Sequence, residues 1–170
     1  MIVHGDTLVV KSNGNRPSYH EITEEVRRII AESKVQEGIV VVSTPHTTCS
    51  VFFEEYMHDR NFNGDEVIQV DLNRILDKII PRCVTEGQYG SPGPKHTEFA
   101  MGLNDPNYPP DPGTLLNTDA HLKATLLGSS ETFVIRGGKL MTGTVGYIYF
   151  VDWDQNRARN RNIYIQVLGK

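Results

Sequence analysis

The sequence predicts a single α+β domain spanning residues 1–170. Three observations carry this. Two segments repeat apolar residues at helical spacing, β-branched runs stand early in the chain, and three strand-like segments crowd its end instead of alternating with helices. The chain is long enough to bury a core without cross-links. Its 22% charged and 38% apolar residues lie in the ordinary globular range.

In chain order, residues 7–12 read as a strand, and Asn13-Gly14-Asn15-Arg16-Pro17 is turn chemistry. A short strand at 18–22 would complete an opening hairpin. Thr23 reads as an N-cap, with Glu24 and Glu25 in the first helical turn. Val26, Ile29 and Ile30 then give a helix over 24–34. Residues 39–43, Ile-Val-Val-Val-Ser, read as a strand buried on both faces, and a further strand follows. Val67, Val70, Ile75, Leu76, Ile79 and Ile80 mark a second helix over 65–80, stopped by Pro81. Residues 84–117 hold six of the nine prolines and read as a long loop within the domain. A short third helix starts at Asn117 or Thr118 and ends at Gly128, read as a left-handed cap. Strands at 131–136 and 139–152 flank a Gly137-Gly138 turn. Gly143 and Gly146 suggest a bulge or a close backbone approach. A turn at 155–161 leads to a last strand at 162–168.

Composition bounds the function. A net charge of −4 argues against a non-specific nucleic-acid binder. The run Arg157-Ala158-Arg159-Asn160-Arg161 reads first as a solvated turn, with an anion-binding patch as the alternative. No apolar run approaches the roughly 18 residues a membrane helix needs. The N-terminus carries no signal-peptide pattern. Two cysteines, Cys49 and Cys83, make no disulfide framework or CxxC motif, so a reducing cytoplasm is the expected setting.

Four clusters carry chemistry. Pro45-His46-Thr47-Thr48 follows a strand, where sites are commonly built. His46 can ligate a metal or move a proton, and the two threonine hydroxyls can hold an oxyanion or satisfy local backbone. Glu54 and Glu55 are adjacent on an extended segment and point to opposite faces, so at most one can share a pocket with His46. His96 lies in the Pro/Gly-rich stretch. Asp119, His121 and Lys123 open the third helix, whose N-terminus offers free N–H groups to anions. His46, His96 and His121 can supply three metal nitrogens from three segments, in a spacing that matches no metal motif.

These residues have a familiar order. Gly38 through Thr48, Glu55, His96, the run Thr118 through Ser130, and Gly143-Thr144 resemble the YjbQ family, UPF0047, also called secondary thiamine-phosphate synthase. The resemblance runs from about residue 20 to 168. It implies a compact α+β fold with a mixed, barrel-like sheet, two main helices and a short third one, assembled as a homotrimer. It implies that His46, His96 and His121 gather in one pocket, holding a divalent metal such as zinc, with Glu55 beside it. It also implies a weak thiamine-phosphate-forming activity. Three departures bear on the substrate. The family's Gly-Thr-Trp-Gln is Gly143-Thr144-Val145-Gly146 here, its Asn-Glu pair is Glu54-Glu55, and the 84–117 stretch is longer.

Two functions follow. The first is a metal-dependent enzyme on a small phosphorylated molecule, with His46, Glu55 and Lys123 catalytic and Glu55 the general base. Thr47, Thr48, Ser129 and Ser130 would hold the phosphate. The second is a non-catalytic trimeric module that binds a metabolite or anion. Histidines that are merely structural are the bland reading.

Overall fold

The computed structural model describes residues 1–103 and 111–170. In order these form β1 (Ile2–Lys11), β2 (Ser18–Glu21), α1 (Thr23–Ser33), β3 (Glu37–Ser43), β4 (Cys49–Glu55) and α2 (Val67–Ile79). Then come α3 (Pro94–Met101), a 3-10 turn (Pro112–Leu115), α4 (Thr118–Leu127), β5 (Ser130–Arg136), β6 (Lys139–Leu140), β7 (Gly146–Asp152) and β8 (Asn160–Gly169). A five-stranded sheet runs β1-β8-β3-β5-β6 and a three-stranded sheet runs β2-β7-β4. Each described ladder is antiparallel. The sheets curl into a half-barrel, as the α+β reading expects.

The opening hairpin is not formed. β1 pairs with β8, while β2 pairs with β7 in the other sheet. The Asn13–Pro17 turn carries the chain across the seam between sheets, and residues 153–159 make the reverse crossing. The two crossings run side by side. The Ser12 amide donates to the Arg159 carbonyl at 2.9 Å, and the Arg159 amide donates to Ser12 Oγ at 3.0 Å. The three late strands are likewise divided, with β5 and β8 in one sheet and β7 central to the other.

The main core lies between the sheets and α1. Val26, Ile29 and Ile30 of α1 pack with Val40, Val42, Ile163 and Ile165 of the large sheet and Val51, Ile148 and Phe150 of the small one. Each such aliphatic side chain contributes about 1.5–3 kcal/mol by leaving water. β3 is buried on one face only, because Ile39 is 38% exposed. Thr23 does not cap α1. Its hydroxyl instead accepts the Ile148 amide at 2.8 Å and ties the helix to β7.

A second cluster covers the other face of the small sheet, joining Leu76 of α2, Ala120 and Ala124 of α4, and Val151 and Trp153. The apolar stripe expected on α2 is mostly outward: of its members only Leu76 is buried, and Val67, Ile75 and Ile79 are exposed. The inward face is Gln69, Leu72, Asn73 and Leu76, also at helical spacing but half polar. Gln69 closes a capping box with buried Glu66, and Asn73 accepts the Tyr19 hydroxyl at 2.7 Å.

The 84–117 stretch is not loop throughout, since α3 begins at Pro94, a residue suited to a first helical turn; residues 104–110 lie outside the described residues. Gly128 ends α4 with φ +88 and ψ 162, an extended positive-φ cap instead of the left-handed one expected. Gly146 is the expected close approach: a Cβ there would stand 2.7 Å from the Thr142 carbonyl oxygen and 1.9 Å from the Phe53 ring.

Candidate functional site

A cavity of about 400 Å³ opens where the 153–159 crossing and the start of β8 meet the end of β3, α3 and the start of α4. The peptide after β3 forms one wall. Thr44 Oγ1 donates to the Asn162 carbonyl at 3.0 Å, and Trp153 N donates to the Thr48 carbonyl at 3.0 Å, so the two ends of the 153–159 crossing fix the His46–Thr48 loop. α3 and α4 contribute His96 and His121 to the opposite wall. The sequence therefore brings together His46, Thr47, Thr48, His96 and His121.

The run Arg157, Arg159 and Arg161 also lines this cavity and Arg161 is buried, so the run is not the solvated turn first expected. β8 explains why. Ile163, Ile165 and Val167 occupy its inward positions, and Arg161 is the next inward position toward the turn. Two buried aspartates brace the arginines. Arg161 Nε and Nη2 donate to the two Asp152 carboxylate oxygens at 2.7 and 3.2 Å, and Nη2 also donates to Thr48 Oγ1 at 2.9 Å. Arg159 is ion-paired with Asp154, which is fully buried and also accepts Asn117 Nδ2 at 3.1 Å. Arg159 Nε is buried with no hydrogen-bond partner among the described residues. Burial alone would raise the Asp152 carboxyl, but the hydrogen bonds and charge of Arg161 overturn this and hold it below its ordinary value.

His46 and His121 are tuned toward the neutral form. Burial first, and then the charge of Arg161, lowers His46. Its Nε2 accepts the Asn162 amide at 2.9 Å, while Nδ1 stands 3.4 Å from Arg161 Nη1. Burial also lowers His121, against the hydrogen bond to the Thr47 backbone, which raises it. His20, outside the cavity, is lowered by burial as well.

A pH dependence of stability follows. The unfolded chain protonates these histidines at a higher pH than the folded one. Their contribution is therefore present above the ordinary histidine pKa of 6.5 and lost as pH falls through the lowered values. The urea midpoint is expected to drop between about pH 7 and about pH 5. A His46→Gln/His121→Gln variant should show a flatter profile over that range.

Four sequence-predicted residues stand elsewhere. Lys123 is fully buried and points to α2, pairing with Asp77 at 2.6 Å and Asp119 at 3.5 Å. The helical turn that puts His121 toward the cavity turns Lys123 away. Glu55 is exposed at the end of β4 and does not line the cavity. Ser129 and Ser130 are exposed beside the β3–β5 pairing, where the Ser129 carbonyl accepts the Thr44 amide. Glu54 packs near buried Glu66 and is pushed up to about 7 by burial and then by that neighbour's charge. Val145 and Gly146, where the family carries Trp-Gln, also lie outside the lining.

A divalent metal does not fit the donors as arranged. Both His46 nitrogens face hydrogen-bond donors, three guanidinium groups line the cavity, and no Asp or Glu is among its lining residues. Among the described residues no group of three or more His, Cys, Asp or Glu is placed to hold a metal. The chemistry offered is that of an anion site: guanidinium forks, a hydroxyl and imidazoles.

The comparisons with known proteins agree on one family. The family model described as "UPF0047 protein YjbQ-like" matches residues 7–170. UPF0047 protein MJ1081 of Methanocaldococcus jannaschii is 29% identical over 160 residues, 94% of this chain and 91% of that one. A UPF0047 protein of Archaeoglobus fulgidus is 33% identical, over 82% and 83% of the two chains. Among solved structures, a YbjQ-like protein of unknown function from Sulfolobus solfataricus matches with a TM-score of 0.70 at 25% identity, over 99% and 98% of the chains. An uncharacterized YjbQ/UPF0047 protein of Clostridium acetobutylicum matches with a TM-score of 0.69 at 29% identity, over 96% and 99%. No helix among the described residues is long and apolar enough to cross a membrane.

Proposed function

This chain belongs to the UPF0047 family of YjbQ-like proteins, and from that premise we propose that its arginine-lined cavity binds the phosphate group of a small phosphorylated molecule. One observation carries the reading: three arginines and three histidines line one cavity, and no Asp or Glu is among its lining residues, Asp152 and Asp154 bracing Arg161 and Arg159 from behind. Guanidinium forks match phosphate oxygens in pairs, and the Thr47 hydroxyl adds a donor. A volume of about 400 Å³ suits a metabolite rather than a polymer.

Titration calorimetry with inorganic phosphate and simple alkyl phosphates tests the reading. The wild-type chain is expected to bind them, and Arg159→Gln to bind them about tenfold more weakly, as expected for one lost charged hydrogen bond. Equal affinity in both proteins would remove the cavity from consideration. Metal content measured on the same samples, with His121→Ala alongside, bears on the ligand class. A stoichiometric metal lost in His121→Ala would restore the three-histidine metal set in place of the phosphate.

Turnover is a second reading, favoured by His121. Its bond to the Thr47 backbone fixes the ring beside the cavity, and partial burial lowers its pKa and so favours the neutral form that accepts a proton. Thiamine-phosphate formation is the reaction to assay. Product lost in His121→Ala, with phosphate binding kept, would support it.

A homotrimer is part of the proposal. Its support is an outward apolar row of direct cross-strand neighbours, Val3, Leu168, Ile39 and Val134, across four strands of the large sheet. Light scattering should give three times the 19.1 kDa chain mass; the mass of one chain would refute it.

A further inference from the structure

The ladder between β3 and β8 ends at Ser43 and Tyr164. Beyond it, Asn162 still turns both backbone groups toward the chain that leaves β3. Side chains take them in place of a strand. Thr44 Oγ1 donates to the Asn162 carbonyl at 3.0 Å, and the Asn162 amide donates to His46 Nε2 at 2.9 Å. The second bond selects the histidine's tautomer. A backbone amide can only donate, so Nε2 carries the lone pair and the ring proton sits on Nδ1. An imidazolium would set an N–H of its own against that amide, so the same bond opposes the charged form.

On its other side the ring meets a second donor. Nδ1 stands 3.4 Å from Arg161 Nη1, and a guanidinium offers no acceptor. The other nitrogens of Arg161 are turned to Asp152 and Thr48. Two N–H groups thus stand side by side, with no acceptor for either among the described residues. Both side chains line the arginine cavity. Arg159 Nε, in the same lining, is also buried without a partner among the described residues. Neighbouring donors left unpaired call for one acceptor that serves them together.

We propose that His46 Nδ1–H and Arg161 Nη1 together hold a single unprotonated oxygen of the bound phosphate. His46 is then an anion donor, neither a base nor a metal ligand, because Asn162 takes its one acceptor nitrogen. Proton transfer in any turnover falls to His121. The inference rests on the phosphate reading above and deepens it, assigning one residue's role and the state of one ligand oxygen.

Magnetic resonance of the histidine rings in isotope-labelled full-length chain tests it, with His46→Gln identifying the signal by its loss. At about pH 8, above the ordinary histidine pKa, His46 is expected to show a protonated Nδ1 and a bare Nε2. Inorganic phosphate should move the Nδ1 proton downfield and leave the tautomer unchanged. Two variants give a second readout, in calorimetry with inorganic phosphate and in thermal melting. His46→Gln can still accept the Asn162 amide but lacks the Nδ1 donor, and should bind phosphate about tenfold more weakly. His46→Asn keeps a donor near Nδ1 but cannot reach Asn162. It should melt about 2–4 °C below His46→Gln, the scale of one backbone hydrogen bond, yet bind phosphate more tightly. A merely structural histidine would make affinity follow stability, and that order would overturn the proposal. A proton on Nε2 would overturn it too. So would an Nδ1 proton that does not respond while calorimetry shows binding, an outcome that leaves the phosphate reading standing. Failure of the wild type to bind phosphate would overturn both.

Discussion

Arg161→Ala is expected to lower folding stability by about 3–5 kcal/mol and to abolish phosphate binding. The side chain is 5% exposed and makes the paired bond to Asp152, which is fully buried. Its removal strands the Asp152 carboxylate in the protein interior, where an unpaired charge is far costlier than the pair was worth. Thr48 Oγ1 and His46 Nδ1 lose the same neighbour. The loss is a large share of the 5–15 kcal/mol typical of a domain. In the wild type the Asp152 pKa is lowered, so its contribution is present above the ordinary carboxyl value and lost as pH falls through the folded one. In the variant, burial pushes it up against the Asp154 amide bond and the Arg159 charge. The stability gap is therefore widest near neutral pH and narrows in acid, as urea unfolding at several pH values would show. Arg161→Leu/Asp152→Leu separates the two roles: it removes both charges and should regain stability without regaining phosphate binding. A single variant within about 0.5 kcal/mol of wild type, the range of an ordinary surface change, would refute the account.

Gly14→Ala should be nearly as damaging, although Gly14 lies outside the cavity lining. Its φ is +74, which costs an alanine roughly 1–2 kcal/mol. A Cβ there would also stand 2.1 Å from Ala158 N and 2.4 Å from the Arg157 carbonyl carbon. Both are backbone atoms, so one of the two crossings must move, at a further 1–3 kcal/mol or so. Arg157 and Arg159 move with it. Phosphate affinity is expected to fall about tenfold or more, the scale of one lost charged hydrogen bond. Gly64→Ala is the control: its φ is +85 with nothing within 4 Å of the new Cβ. It should lose only the conformational cost and bind phosphate normally. Unchanged binding in Gly14→Ala would show that the crossings do not position the arginines.

How far these features could be read from sequence depends on what each pattern encodes. Alternation and β-branching mark strands, and the α+β class follows. They do not say which strand is the partner, and the Asn13–Pro17 turn has the same chemistry whether the chain returns to its neighbour or crosses to another sheet. The α2 stripe misled because the buried face of that helix is half polar, with Gln69 and Asn73 satisfied by Glu66 and Tyr19. The proline at the start of α3 was a readable start signal hidden by the composition around it.

The site was legible in part. Three histidines and two threonines stood out in the sequence, the resemblance implied that the histidines gather, and the structure lines one cavity with all five. Lys123 shares a face of α4 with Asp119 and not with His121, and that face is the buried one, where Lys123 pairs with Asp77 and Asp119. The arginines were visible as a run, but their meaning lay in parity: Asp152 and Asp154, then Arg157, Arg159 and Arg161, each spaced by two. Nothing in either run alone announces that the two sets face each other across a turn.

The two crossings that run side by side, joined by Ser12 and Arg159, have one more consequence. They come together only in the folded chain, so any compound that settles among the arginines must discriminate against the denatured ensemble. Occupancy and folding then become thermodynamically linked quantities. A compound at about 100 times its dissociation constant would add about 2.7 kcal/mol, on the order of 5–10 °C in melting temperature for a chain of this size. Heat resistance thereby becomes a reporter of ligand identity, and a library can be ranked by it before any reaction is known.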